Sequence, residues 1–325
     1  MTPAPSLCCP SCGAAHEAGD RFCADCGARL GLPAPEACAA CGAGEVDADG
    51  FCTACGARQR PDGLTALGPG LAGVTDPGRQ HPENQDALWL AGPPGGGAGV
   101  VAMVCDGVSN SQTPAAAALV AARIAGEALA ATAGDPGAAM RAAIVAAHAG
   151  VCALPYDRQA DVDPPACTLV AAHVRRVEGG LTATLGWLGD SRAYLLQDDG
   201  AQLLTHDHSW VNLVVDANQV PLAEALRDRR AHALVSCLGT TDFAAASPCP
   251  EPAVRSVALR SPGWLVLCTD GLWNYADAPA ALLRACPGWQ SMDAAALCRT
   301  LLDHALAAGG HDNITVAAVR LNGPE

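Results

Sequence analysis

Two stretches of the chain, 99–105 (GVVAMVC) and 264–269 (WLVLCT), carry no charge and stop at Asp-Gly pairs, Asp106-Gly107 and Asp270-Gly271. Runs of this length that are apolar on both sides are strands covered on both faces, as in the middle of a layered fold. That arrangement confines their terminal carboxylates to a rim of a sheet. Two further aspartates fit the same rim: Asp190, in the turn between TATLGWL and SRAYLL, and Asp312, just ahead of the strand-like run 314–321. The start of a strand lies beside the end of its antiparallel partner, so one edge can collect all four. Asn84-Gln85-Asp86, ahead of the strand-like run 87–91, adds a fifth acidic segment. A single Asp-Gly after a strand is ordinary turn chemistry. Several such carboxylates together repel unless a cation sits among them, and all-oxygen ligation suits Mg²⁺ or Mn²⁺.

The other strong pattern is a repeat. Cys9, Cys12, Cys23 and Cys26 recur, displaced by 29 residues, as Cys38, Cys41, Cys52 and Cys55. Each C-x-x-C-G is a tight knuckle whose glycine permits the turn that aims both sulfurs at one ion. Two knuckles joined by a short hairpin close a tetrahedral Zn²⁺ site with no open position, which makes the site structural. Segments this short need such a staple to fold. Two zinc ribbons are therefore expected over 1–60, with Cys8 a spectator thiol. Residues 61–71, rich in Pro and Gly, read as a linker, and 72–322 as the main domain. Within it, Thr113-Pro114 opens an Ala-rich helix running to about Ala131, with Thr as N-cap. A second helix over 293–308 places Leu297, Leu301 and Leu302 on one stripe.

The order of motifs over roughly 72–322 resembles the protein phosphatase 2C family. The matching segments are Asn84-Gln85-Asp86, Asp106-Gly107, Cys167-Thr168-Leu169, Gly189-Asp190-Ser191-Arg192, Asp207-His208-Ser209, Cys268-Thr269-Asp270-Gly271 and His311-Asp312-Asn313-Ile314-Thr315. The resemblance implies an α+β fold, a four-layer α-β-β-α sandwich of two antiparallel sheets flanked by helices and preceded here by two small zinc ribbons. It implies a binuclear Mn²⁺ or Mg²⁺ centre: Asp106 bridging both ions, the Gly107 carbonyl as a further ligand, Asp86 completing one ion, Asp270 with Asp312 the other. Asp190 is implied to help hold a third, weaker ion, and Asn313 to support the last ligand. The implied activity is hydrolysis of phosphoserine and phosphothreonine in protein substrates by a hydroxide bridging the metals, with no covalent enzyme intermediate.

The chain departs from the family pattern in places. Where the family usually has a phosphate-binding arginine, five residues before Asp86, this chain has His81, with Arg79 nearby. Three readings stay open: Arg79 reaches in, His81 binds more weakly than a bidentate guanidinium, or binding leans on the metals. Val108 stands where eukaryotic relatives carry a proposed general-acid histidine. These departures keep an alternative alive, a weakly active or inactive regulatory module recruited through its ribbons. Asp207-His208-Ser209 reads as structural, since hydrolytic triads are assembled by the fold rather than by neighbours in sequence. Residues from about Trp210 to His232 correspond to the flap of bacterial members, a segment expected to shape substrate choice.

A net charge of −14 argues against a nucleic-acid partner. The ribbon region, with four Arg against seven acidic residues, favours a protein partner or a purely structural role. Lacking a long apolar segment or a leader-like start, the chain reads as cytoplasmic and without a membrane partner.

Overall fold

The computed structural model describes residues 7–8, 15–16, 54–55, 63–92, 99–132, 134–178, 180–239, 249–259 and 261–321. The chain divides into two compact units, Met1–Pro61 and Asp62–Glu325. In the first, strands β1 (Leu7–Cys8) and β2 (Ala15–His16) pair antiparallel. Cys9, Cys12, Cys23, Cys26, Cys38, Cys41 and Cys52 lie outside the described residues, and Cys55 is an exposed turn residue.

In the second unit the chain runs through β3 (Thr65–Ala66), β4 (Leu71–Asp76), β5 (Asp86–Ala91), β6 (Val100–Asp106), α1 (Pro114–Ala130) and α2 (Pro136–Cys152). There follow β7 (Ala166–Cys167), β8 (Leu169–Val177), β9 (Gly180–Leu188), β10 (Arg192–Gln197) and β11 (Gly200–Leu203). After β11 come α3 (Trp210–Asp216) and α4 (Leu222–Ala225). The remainder is β12 (Leu238–Gly239), β13 (Ala253–Leu259), β14 (Gly263–Cys268), α5 (Asp270–Trp273), α6 (Pro279–Ala285), α7 (Ala294–Ala308) and β15 (Ile314–Leu321).

One antiparallel sheet has the order β11-β10-β14-β15-β4-β3 and the other β13-β9-β8-β6-β5, while β12 pairs with β7 alongside. Side-chain alternation explains the layers. In β6, Val101, Met103 and Cys105 pack outward with Met140 and Ile144 of α2, whereas Ala102 and Val104 face the space between the sheets. In β14, Trp264, Val266 and Cys268 join Leu297 and Leu301 of α7, whereas Leu265 and Leu267 meet Val104 and Val170 across the middle. Three apolar layers thus separate four layers of structure, α1 and α2 on one outside, α6 and α7 on the other. This is the expected sandwich.

Two local expectations change. Residue 63 onward is sheet edge rather than free linker: β3 pairs with β4, and Gly63 N–H donates to the Thr75 carbonyl at 3.2 Å. Thr113 does occupy the N-cap of α1, but at φ 48° and with no capping hydrogen bond from its side chain. Asp293, by contrast, caps α7 by accepting from Ala296 N–H at 2.7 Å.

Candidate active site

The strand-end aspartates meet at one end of the sandwich. Asp86 begins β5 and Asp106 ends β6, and the antiparallel register sets them directly opposite each other. From the other sheet come Asp270, which follows β14 and begins α5, and Asp312, which precedes β15. Asp190 sits in the turn between β9 and β10. Asp106, Gly107, Asp190, Asp270 and Asp312 line one small cleft of ≈ 160 Å³, together with Val108, Thr168, His232 and Leu234. Asp86 lies beneath, 6% exposed.

Like charges in a buried place hold protons. Burial first, then the charges of Asp270 and Asp312, push the Asp86 carboxyl up to about 8, against the hydrogen bonds of Thr315 and Thr269. Asp106 is raised well above the carboxylate range by burial and by Asp86, Asp270, Asp190 and Asp312. Asp190 is raised to about 7 by burial, Asp270 and Asp207. Asp270 is raised to about 6 by burial and Asp312, opposed by a hydrogen bond with Asp106.

The donor set fits a divalent cation. One carboxylate oxygen of Asp86, Oδ2, accepts from Thr269 Oγ at 2.9 Å, whereas Oδ1 is buried with no partner among the described residues. A buried, unpaired carboxylate oxygen amid other carboxylates is what a hard cation would satisfy. The turn after Asp106 has room for backbone only: a Cβ on Gly107 would lie 2.6 Å from the Pro114 carbonyl and 2.7 Å from that of Gln85. Among the described residues the carboxylates do not converge on one point as a finished ligand set.

Around these groups is a supporting shell, of which the sequence pointed only to Asn313. Thr269 Oγ accepts from Thr315 N–H (3.0 Å) while donating to Asp86, and the Thr315 and Thr75 hydroxyls pair at 2.7 Å. Asn84 donates to the Thr75 hydroxyl at 2.8 Å and accepts from Asp86 N–H at 3.2 Å. Threonines in strands read as ordinary β formers, which hides this role. Asn313 clamps the 77–85 loop: its Nδ2 donates to the Pro77 and Glu83 carbonyls, both at 3.0 Å, and its Oδ1 accepts from Gln85 N–H at 2.7 Å. On that loop His81 Nε2 lies 3.4 Å from Asp312 Oδ1. Arg79 is tied by its backbone N–H to the Gly310 carbonyl at 2.7 Å, with its side chain exposed.

Asp207-His208-Ser209 is structural. The Asp207 carboxylate holds Arg192 at 2.6 Å, and that guanidinium lies 3.9 Å over the Trp273 ring. Trp273 Nε1 in turn donates to the Asp190 carbonyl at 2.9 Å. His208 Nδ1 accepts from Gly189 N–H at 3.2 Å, and burial lowers its pKa.

A sandwich of this kind that ends in a rim of aspartates has known relatives. The model of the family described as protein phosphatase 2C matches residues 79–307, and that of the double zinc ribbon matches 9–56. The chain belongs to the protein phosphatase 2C family. Among relatives, the serine/threonine phosphatase stp of Listeria innocua is 28% identical over 166 residues, covering 51% of this chain and 61% of its own. Protein phosphatase PhpP of Streptococcus pneumoniae is 33% identical over 135 residues, 42% of this chain and 51% of that protein. The chain therefore spans about half to three fifths of the curated relatives it matches. The Mycobacterium tuberculosis serine/threonine phosphatase PstP/Ppp superposes with TM-score 0.60 at 26% identity, covering 78% of this chain and 98% of that one. The PPM Ser-Thr phosphatase MsPP of Mycobacterium smegmatis, solved with cacodylate, gives 0.62 at 25%, covering 79% and 100%. A PstP catalytic domain solved with two manganese ions shares the fold at TM-score 0.59 and 24% identity. Among the described residues no helix is long and apolar enough to cross a membrane.

Proposed function

We propose that the chain is a metal-dependent protein phosphatase acting on phosphoserine and phosphothreonine. The observation that carries this reading is the buried Oδ1 of Asp86, unpartnered among the described residues, within a rim of aspartates whose carboxyls burial and mutual repulsion push upward. Asp86, Asp106, the Gly107 carbonyl, Asp270 and Asp312 would hold two Mn²⁺ or Mg²⁺ ions, and Asp190 would help with a third. What a metal pair supplies when bound is an acidified water as nucleophile and positive charge for the phosphoryl oxygens. The manganese in a fold relative is consistent with that assignment.

The chain's own residues position and bind. Thr269 and Thr315 fix the Asp86 carboxylate, Asn313 fixes the 77–85 loop, and Trp273 fixes the backbone at Asp190. His81 is engaged with Asp312, whereas the Arg79 guanidinium is exposed on the same loop. Of the three readings for phosphate binding, we favour Arg79, which offers a fork of donors where neutral imidazole offers one. The protein need not use a serine or cysteine of its own as nucleophile. Cys105 and Cys167, next to the site, have thiol pKa values raised well above normal by burial, so they stay protonated.

The test is Mn²⁺-dependent hydrolysis of a phosphothreonine peptide. Wild type should turn over only with metal, and Asp270→Ala should lose at least about a hundredfold, the scale on which catalytic charge stabilisation is lost. Absence of metal-dependent turnover by the wild type sinks the reading. For the first unit we propose two structural Zn²⁺ ions held by Cys9, Cys12, Cys23, Cys26 and by Cys38, Cys41, Cys52, Cys55. Elemental analysis should find about two zinc ions per chain, lost on removal of 1–60.

A further inference from the structure

The cleft over the aspartates opens into a second cavity of ≈ 390 Å³, with which it shares Val108, His232 and Leu234. Val108, Ala166, Ala233, Leu234 and the buried Cys237 supply the apolar part of its lining, and Asn110, Ser111 and His232 a polar part. Asp163, an exposed residue, also lines it. The backbone there is fixed, because the Asp163 carbonyl accepts from Gln112 N–H at 2.8 Å and the residue bridges to Ser111. The carboxylate itself has no ion pair among the described residues, and no Arg lines the cavity. Beyond Asp163 a third cavity adds Asp161 and Arg158, and Arg158 lies over the Tyr156 ring at 5.7 Å.

Cys237 connects the two places electrostatically. Burial raises its thiol pKa to about 11, with Asp190 of the cleft and Asp163 of the cavity as the next causes. A largely apolar lining that also presents an exposed carboxylate without an ion pair matches an aliphatic stem that carries a cation at its tip. An acidic side chain would be repelled there, and a purely apolar one would cover Asp163 without pairing it.

We propose that this cavity is a substrate subsite for a basic side chain, Arg or Lys, flanking the phosphorylated residue. Its stem lies along Val108, Ala233 and Leu234, and its charge meets Asp163. The proposal rests on the phosphatase reading above, so the test separates the two. Phosphothreonine peptides in an alanine background, with Arg, Leu or Glu placed at each flanking position in turn, are assayed with Mn²⁺ on the full chain and on Asp163→Asn. At one position Arg should raise kcat/KM about fivefold over Ala, the range of a partly exposed ion pair. Asp163→Asn should remove that gain while leaving p-nitrophenyl phosphate turnover unchanged. Fluorescein-labelled versions of the same peptides, followed by anisotropy in EDTA, should give the same ranking without turnover. Equal kcat/KM for Arg and Ala at every position, an Arg preference that survives Asp163→Asn, or a preference for Leu overturns the subsite. If the wild type fails even on p-nitrophenyl phosphate, the phosphatase reading falls instead, and the anisotropy ranking alone decides the subsite.

Discussion

At the scale of single residues, the weight of the site rests on Thr269. It is fully buried, donates to Asp86 and accepts from the backbone of Thr315. Thr269→Val keeps the shape and removes both bonds, leaving an N–H and a carboxylate oxygen unpaired. The expected cost is about 1–3 kcal/mol of stability. Loss of the support behind a ligand should also raise the Mn²⁺ concentration for half-maximal turnover by about tenfold. A metal titration of activity and an unfolding curve check both. If neither moves, the threonine chain does not position Asp86. The ligand aspartates themselves were legible in the sequence, because a carboxylate at the end of an otherwise uncharged strand has few places to go. The threonines were not, since buried hydroxyls are recognised by their partners, and those partners lie in strands far apart in the chain. Asp163 was hidden for a similar reason: only the folded loop brings it to the cavity that the cleft opens into.

Among elements, α1 is the one whose seating most directly affects the rim. Gly126 of α1 lets the helix lie against the Trp89 indole of β5, the strand that begins with Asp86, and a Cβ there would strike the ring. Gly126→Ala should therefore destabilise the fold by about 2 kcal/mol or more in a denaturant titration, despite the better helix propensity of alanine. Gly137→Ala in the first turn of α2, where the new Cβ meets only Asp135 Oδ1 at 3.5 Å, is the control and should be neutral or mildly stabilising. Equal effects at the two positions would remove the packing argument. Strands β6, β14 and β15 were readable from their apolar runs, and α7 from its leucine stripe. The edge strand β3 was masked by Pro and Gly neighbours: two residues paired at an edge leave no periodicity to detect. The turn at Thr113 misled because Thr-Pro is a good helix start by composition, whereas the backbone there is left-handed and its side chain makes no capping hydrogen bond.

For the whole molecule, the acidic rim links stability to pH. In the metal-free protein Asp86, Asp190 and Asp270 are raised from 3.8 to about 8, about 7 and about 6, with burial the largest cause for each. The folded state thus binds more protons than the unfolded chain between these limits. The contribution of these groups is fully present near pH 4 and is lost as pH rises through 6 to 8. Urea unfolding in EDTA should show stability falling over that window by on the order of a few kcal/mol. Mn²⁺ at pH 8 should restore it, since cation charge replaces the protons. A metal-free protein that gains stability from pH 5 to 8 would contradict the electrostatics described for the rim.

The rim is also assembled in a particular order. Among the described residues strand β15, which carries Asp312 at its head, comes last in sequence, yet it lies in the interior of its sheet, hydrogen-bonded to β14 on one side and β4 on the other. A nascent chain leaving the ribosome therefore displays Asp86, Asp106, Asp190 and Asp270 well before the strand that closes the gap between β4 and β14. Closure of that sheet, and with it the placing of Asp312 beside the other aspartates, waits on a segment that follows all of them in sequence.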